Sequence, residues 1–263
     1  MISYLIVTLI CFLIIKHRFF WEVKNETKFP KNSTIFMSHR GYKKVYPENT
    51  MGAFKDSVDL NFEWIELDII ATKDNVIICS HNFDLEQETN GSGDIDKLIY
   101  KDLSYLTTGV YHPEISTEKL PKLVDVINEL PQSIYFNIEI KAPKIFQFKT
   151  ARALTKHFKK LPTNRILISS FNPFVLFYLK IFYPRIRTAF LYQNMEYLWI
   201  VNWLHPTYLH PRADLVDDDL INDCKRKNLD INLWTVNNKA AIEWCIDKNL
   251  NGIITDSGPK LWN

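Results

Sequence analysis

Nine short apolar runs mark the chain between residues 35 and 255, and most are separated by enough residues to form a helix. They fall at 35–39, 64–70, 76–80, 134–140, 165–170, 188–192, 208–211, 231–236 and 252–255, with helical stretches expected at 51–60, 123–130, 146–159, 173–181 and 239–248. Strands alternating with helices make a parallel sheet with crossovers, and a 263-residue chain is long enough to close such a sheet into a TIM-type (β/α)8 barrel. Nine runs do not fit eight places unless one is special. The run at 76–80 follows 64–70 after only Ala71 to Asn75, too few residues for a helix, and Asp74-Asn75 suits a hairpin turn. It is expected to return antiparallel to its predecessor. The segment from 82 to about 120 has no clear strand periodicity, carries Asn90-Gly91-Ser92-Gly93, and reads as a small inserted subdomain over one barrel mouth.

Composition narrows the function. Lys+Arg 32 against Asp+Glu 30 leaves a net charge of +2, so no strong field calls for a nucleic-acid partner. Four cysteines without a C-x-x-C pair argue against a disulfide scaffold and against a zinc–thiolate site, and only 7 glycines leave no room for a Gly-rich dinucleotide loop.

The N-terminus is a separate object. Residues 1–15 carry no charge, Lys16-His17-Arg18 follow, and Phe19-Phe20-Trp21 come next. At a helical rise the charge-free run covers about 22 Å, short of a ~30 Å hydrocarbon core. With the aromatics extending it and the basic residues snorkelling, residues 1–21 are expected to form an uncleaved membrane-anchor helix. A cleaved signal peptide would need a positive n-region and a small-residue cleavage site, and both are missing. Residues 22–33 read as a linker and 34–263 as the barrel. Lys16, Arg18, Lys24, Lys28 and Lys31 all follow the apolar run, which places the catalytic domain on the cytoplasmic side; the sequons at 25–27 and 32–34 weigh mildly the other way.

Polar residues ending apolar strands point into the C-terminal mouth of such a barrel. Ser38-His39-Arg40-Gly41, Glu66-Leu67-Asp68, Ser80-His81 and Asn137-Ile138-Glu139-Ile140-Lys141 occupy those positions. Glu66 and Asp68, two apart on a strand, share a face, and Glu139 from a neighbouring strand makes a third carboxylate. Three clustered carboxylates call for a cation, and an all-oxygen set suits Mg²⁺ or Ca²⁺. His39 and His81 beside them make an acid–base pair in which either is acid and the other base. Arg40 and Lys141 supply fixed positive charge for a tetrahedral phosphate, which points to a phosphodiester. Each element alone has a structural reading, as a hydrogen-bonded histidine or an ion pair. Their coincidence at strand ends is what a purely structural reading leaves unexplained.

With these residues in place, the chain resembles the glycerophosphodiester phosphodiesterase domain family from about Ile35 to Asp256. His39-Arg40-Gly41, Pro47-Glu48-Asn49-Thr50, Glu66-Leu67-Asp68 and His81 match its signature in order and spacing, followed by 90–93, 137–141, Ser169-Ser170-Phe171, Leu233-Trp234-Thr235-Val236-Asn237 and Ile253-Ile254-Thr255-Asp256. The resemblance implies the barrel with its insertion, His39 and His81 as general acid and base, a divalent cation on Glu66, Asp68 and Glu139, and phosphate held by Arg40 and Lys141. It also implies Trp234 as an apolar wall of the substrate pocket. For Glu48 two readings stand, a direct substrate contact or a pin for its loop. Similar enzymes are thought to use attack of the glycerol 2-hydroxyl on phosphorus, with a cyclic phosphate hydrolysed afterwards. Two departures are visible: the family's usual His-Asp is His81-Asn82 here, and an Arg-Thr-Thr-like run is Gln87-Glu88-Thr89.

The substrate is either a free glycerophosphodiester, giving glycerol 3-phosphate and an alcohol, or a lysophospholipid, cleaved in a lysophospholipase D reaction. The aromatic, nearly uncharged segments 173–184 and 195–204 follow strand ends and, read as a membrane-facing rim, favour the lipid; read as packing, they do not. A non-catalytic lipid-binding membrane protein and a sphingomyelinase D-like phospholipase are the alternatives.

Overall fold

A computed structural model describes residues 2–31 and 33–258. Met1 of the expected anchor, Asn32 of the second sequon and the last expected barrel residues, 259–263, lie outside the described residues. In chain order the elements are α1 (Ile2–Phe19), β1 (Ile35–His39), α2 (Met51–Asp59), β2 (Trp64–Ala71), β3 (Ile77–Cys79), α3 (Tyr100–Leu103), β4 (Thr107–Thr108), β5 (Glu118–Lys119), α4 (Leu123–Glu129), β6 (Tyr135–Ile140), α5 (Lys149–Thr155), β7 (Ile166–Ser170), α6 (Pro173–Phe182), β8 (Arg187–Tyr192), α7 (Val201–Leu204), β9 (Tyr208–Pro211), α8 (Asp218–Arg226), β10 (Asp230–Leu233), α9 (Lys239–Asp247) and β11 (Gly252–Thr255).

The strands β1, β2 and β6 to β11 pair in parallel, and β11 closes on β1 with Met37 opposite Ile254. The ninth strand, β3, runs antiparallel on the far end of β2, Ile70 opposite Ile78, as the short 71–75 turn requires. Along β2 the period-two alternation sends Ile65, Leu67 and Ile69 into the main apolar core with the surrounding helices, while Glu66 and Asp68 occupy the other face. The β4–β5 hairpin belongs to the segment between β3 and α4, where Leu85, Ile95, Leu103 and Leu106 form a satellite core against Ile70 and Ile78.

The N-terminal end of the barrel is plugged. Phe29 packs edge-on against Trp64 at 4.7 Å and Tyr135 at 5.5 Å, and its backbone N–H donates to Tyr208 Oη at 2.7 Å.

The membrane anchor expected over residues 1–21 is not supported, and the cytoplasmic orientation built on it goes with it. Among the described residues no helix is long and apolar enough to cross a membrane. The helix α1 has 18 residues, about 27 Å at 1.5 Å each, against the ~20 apolar residues a span needs. Its last turn is basic and is turned onto the barrel. His17 packs on His205 at 4.2 Å, with its Nε2 3.2 Å from Trp203 O, and Arg18 lies over the Trp203 ring at 5.5 Å. Phe19 ends the helix, so Trp21 does not extend it; its ring stacks on His205 at 4.4 Å and its Nε1 donates to Asn202.

At the C-terminal end of β1 the backbone turns through Arg40 (φ +58°) and Gly41 (φ +80°). A Cβ on Gly41 would meet Ala53 at 2.8 Å, because Tyr42 N–H donates to Ala53 O on α2. Gly41→Ala is therefore expected to destabilise the fold by about 2 kcal/mol, read from urea melts, since neither the left-handed turn nor the close packing accepts a methyl group.

Candidate active site

The C-terminal mouth holds a cavity of about 680 Å³. Most of the chemistry-bearing residues of the sequence line it: His39 at the end of β1, Arg40 just after, Glu66 on β2, His81 after β3, Glu139 on β6 and Lys141 beyond it. Trp234 lines the opposite side, its indole N–H donating to His210 O at 2.8 Å and its ring meeting Phe171 edge-on at 5.4 Å. Asp68 is fully buried beside Glu66 and Glu139. Glu48 is not among the cavity-lining residues. Its carboxylate accepts from Arg40 Nη1 at 2.8 Å and lies 3.5 Å from Lys43 Nζ.

One ligand-capable oxygen each from Glu66, Asp68 and Glu139 lies within 4.8 Å of the others. Burial, then Asp68 and Glu139, push the Glu66 carboxyl well up; burial and Asp68 push Glu139 up to about 7. Burial also works against the Asp68 charge, but Lys141 and Arg40 outweigh it and hold Asp68 at about 2. Lys141 Nζ is 2.8 Å from Glu139 and 3.4 Å from Asp68, and Arg40 Nε is 3.1 Å from Asp68. Arg40 also gives its backbone N–H to Glu66 at 2.9 Å. Asn49 clasps Asp68 from both sides, donating to Oδ2 at 3.0 Å and accepting from the backbone N–H at 2.9 Å. Asp68 Oδ1 makes no hydrogen bond among the described residues and has Lys141 Nζ as its ion-pair partner at 3.4 Å. Mutually repelling buried carboxylates and an all-oxygen donor set fit a hard divalent cation.

The two histidines are held differently. His39 Nδ1 is 2.8 Å from Asp256 Oδ1, and Asp256 also takes Lys43 Nζ at 2.9 Å and Asn237 Nδ2 at 2.7 Å. Burial pushes the Asp256 carboxyl up, yet His39 and Lys43 overcome this and hold it well below the usual carboxylate range. An ionised Asp256 places the His39 proton on Nδ1 and supports the ring when it is charged. Asp256→Ala is expected to cut kcat on the order of 10²-fold with the fold intact; kcat within twofold of the parent would make the pair structural only. His81 Nδ1 faces Asn82 Oδ1 at 2.8 Å, and burial lowers its pKa.

Sequence reasoning gave no supporting role to Asn49 and Asp256, nor to Asn82 and Glu88, which it named only as departures from the family pattern. The first two sit inside matched motif blocks, which was the available signal. The segment 173–184 divides: Phe174 lines the cavity, while Phe182 is exposed and Val175, Leu176 and Leu179 are core. Asn172 fixes this wall by capping α6 with its Oδ1 while its Nδ2 donates to Ala142 and Lys144 carbonyls beyond β6.

Fold and site together define an α/β-barrel protein whose C-terminal mouth gathers paired histidines, an acidic triad and fixed cations. The chain belongs to the Glycerophosphoryl diester phosphodiesterase family, which it matches over residues 39–258. A glycerophosphodiester phosphodiesterase of Caldanaerobacter subterraneus subsp. tengcongensis is 31% identical over 235 residues, covering 88% of this chain and 97% of that protein. One from Bacillus altitudinis is 27% identical over 237 residues, covering 85% and 94%. Among solved structures, an Oleispira antarctica phosphodiesterase in complex with the product sn-glycerol-3-phosphate superposes with a TM-score of 0.79 at 22% identity, over 88% of this chain and 96% of that one.

Proposed function

We propose that this protein hydrolyses glycerophosphodiesters to glycerol 3-phosphate and an alcohol, with His39 and His81 exchanging protons with the attacking and leaving oxygens. The observation that carries this reading is the convergence of His39, His81, Arg40, Lys141, Glu66 and Glu139 on one cavity, with Asp68 buried beside the two glutamates, in a chain of this family. The family's named activity and the product bound by the Oleispira relative support the substrate class. Arg40 and Lys141 bind phosphate oxygens, and Trp234 packs against the apolar edge of the glycerol unit. Glu66, Asp68 and Glu139 would hold one divalent cation, Mg²⁺ or Ca²⁺, which when bound supplies Lewis-acid charge stabilisation at phosphorus. With a divalent cation bound to the ionised triad, Arg40 and Lys141 would leave the site with a formal net positive charge for an incoming phosphate.

One observation favours a second substrate. Ile145, Phe171, Phe174, Tyr197 and Ile200 give the cavity an apolar lining, which suits the acyl chain of a lysophospholipid. The test is choline release from glycerophosphocholine and lysophosphatidylcholine, each with Mg²⁺, Ca²⁺ or EDTA. Release from the soluble diester bears out the main reading, and release mainly from the lyso-lipid selects the second. Metal-independent release would remove the cation from both, and no release from either would overturn the enzyme reading for these headgroups.

A further inference from the structure

One residue from each of the two stretches that depart from the family pattern, Asn82 and Glu88, touch each other. Asn82 Nδ2 donates to Glu88 Oε1 at 2.9 Å, while Asn82 Oδ1 faces His81 Nδ1 at 2.8 Å. The direction of this chain is set by chemistry. A carboxylate accepts and does not donate, so Glu88 takes the NH₂ end of the Asn82 amide and leaves the oxygen for His81. An amide oxygen also only accepts, so the ring proton must sit on Nδ1. Backbone contacts keep both partners in place: Ser80 Oγ donates to Asn82 O at 3.0 Å, and Gly109 N–H donates to Glu88 O at 2.9 Å. Glu88 itself is partly buried, in the field of Arg40 and Glu48.

We infer that Asn82 and Glu88 are positioning residues that lock His81 in its Nδ1–H tautomer and make Nε2 the nitrogen that exchanges protons with substrate in the cavity His81 lines. The inserted segment after β3 thereby reaches into the acid–base machinery through Glu88. Asn82 and Glu88 are one device, because changing either alone breaks the donor–acceptor order. This rests on the proposed role of His81, but the tautomer can be read without turnover.

The test uses the full chain and ¹⁵N NMR of the His81 ring at pH 8, with the ring assigned by comparison with His81→Gln. The wild type is expected to carry its proton on Nδ1. Asn82→Leu should lose this preference and lower kcat for glycerophosphocholine by about 10²-fold. Asn82→Asp alone sets two carboxylates against each other and should cost about tenfold in kcat, a coupling usual for neighbours in one network. Asn82→Asp combined with Glu88→Gln restores a donor–acceptor chain and should recover the Nδ1–H tautomer and kcat to within about threefold. Thermal melts of each variant separate misfolding from mispositioning. An Nε2–H ring in the wild type overturns the inference, as does an Asn82→Leu variant with unchanged tautomer and kcat, or a double variant no better than Asn82→Asp. An Nδ1–H ring in a folded protein without diesterase activity sustains the positioning and sinks the reaction proposed above.

Discussion

Replacing either His39 or His81 by alanine should lower kcat for glycerophosphocholine by about 10²- to 10⁴-fold, the usual contribution of a positioned acid or base. Both residues line the mouth cavity and neither is part of the apolar core, so the melting temperature should barely move. Histidines acting as a unit show non-additive losses, so the double variant should lose little more than the worse single one. The check is steady-state kinetics beside a thermal melt for each variant. A folded His39→Ala protein with parental kcat would remove the acid–base pair and leave Arg40, Lys141 and the acidic triad as a binding site without catalysis.

The second large effect concerns the triad. In the cation-free protein Glu139 is pushed up to about 7 by burial and Asp68, from an ordinary 4.5. A raised carboxyl favours the fold below its unfolded value, and that advantage is lost as pH rises through the folded one. Stability from Glu139 should therefore decline between about pH 4.5 and 7. Asp68, held at about 2, works in the opposite direction and loses its contribution only as pH falls toward that value. Binding a divalent cation at neutral pH relieves the repulsion. At a hundredfold excess over Kd it should add about 2.7 kcal/mol, or roughly 5–10 °C in Tm for a chain of this size. EDTA should reverse the gain and abolish turnover. Glu139→Gln should leave the cation-free Tm equal or higher while shrinking the cation-dependent shift. Melts with and without Mg²⁺ or Ca²⁺, at pH 5 and pH 7.5, test this; a parent protein whose Tm ignores both ions would leave the triad as a frustrated structural cluster.

The barrel was legible because its strands are short apolar runs at crossover spacing, and the odd strand β3 because five residues cannot carry a helix. The helix α8 escaped notice: Asp217 caps it by accepting from Leu220 N–H at 2.8 Å, but its polar sequence buries only Leu220, Ile221 and Cys224. The expected helix over 146–159 shortens to Lys149–Thr155. Hydropathy, flanking basic residues and aromatics together suggest an anchor that the structure does not support. Nothing local in Lys16-His17-Arg18 reveals that His205 and Trp203, almost two hundred residues away, take up that turn. The site residues at strand ends were readable from period two and placement. Their partners were not, because Asn49, Asp256 and Glu88 act across loops whose approach only the closed barrel decides.

The Phe29 plug governs traffic. Phe29, Trp64, Tyr135 and Tyr208 pack together at the far end of the barrel, while the cavity is lined by residues of the C-terminal mouth. Under the proposed reaction, both fragments of the cleaved diester must depart by the doorway through which it arrived. If Arg40 and Lys141 hold the phosphate as proposed, accumulating glycerol 3-phosphate would compete with the next diester for the same doorway and the same charges, and turnover would slow as the reaction succeeds.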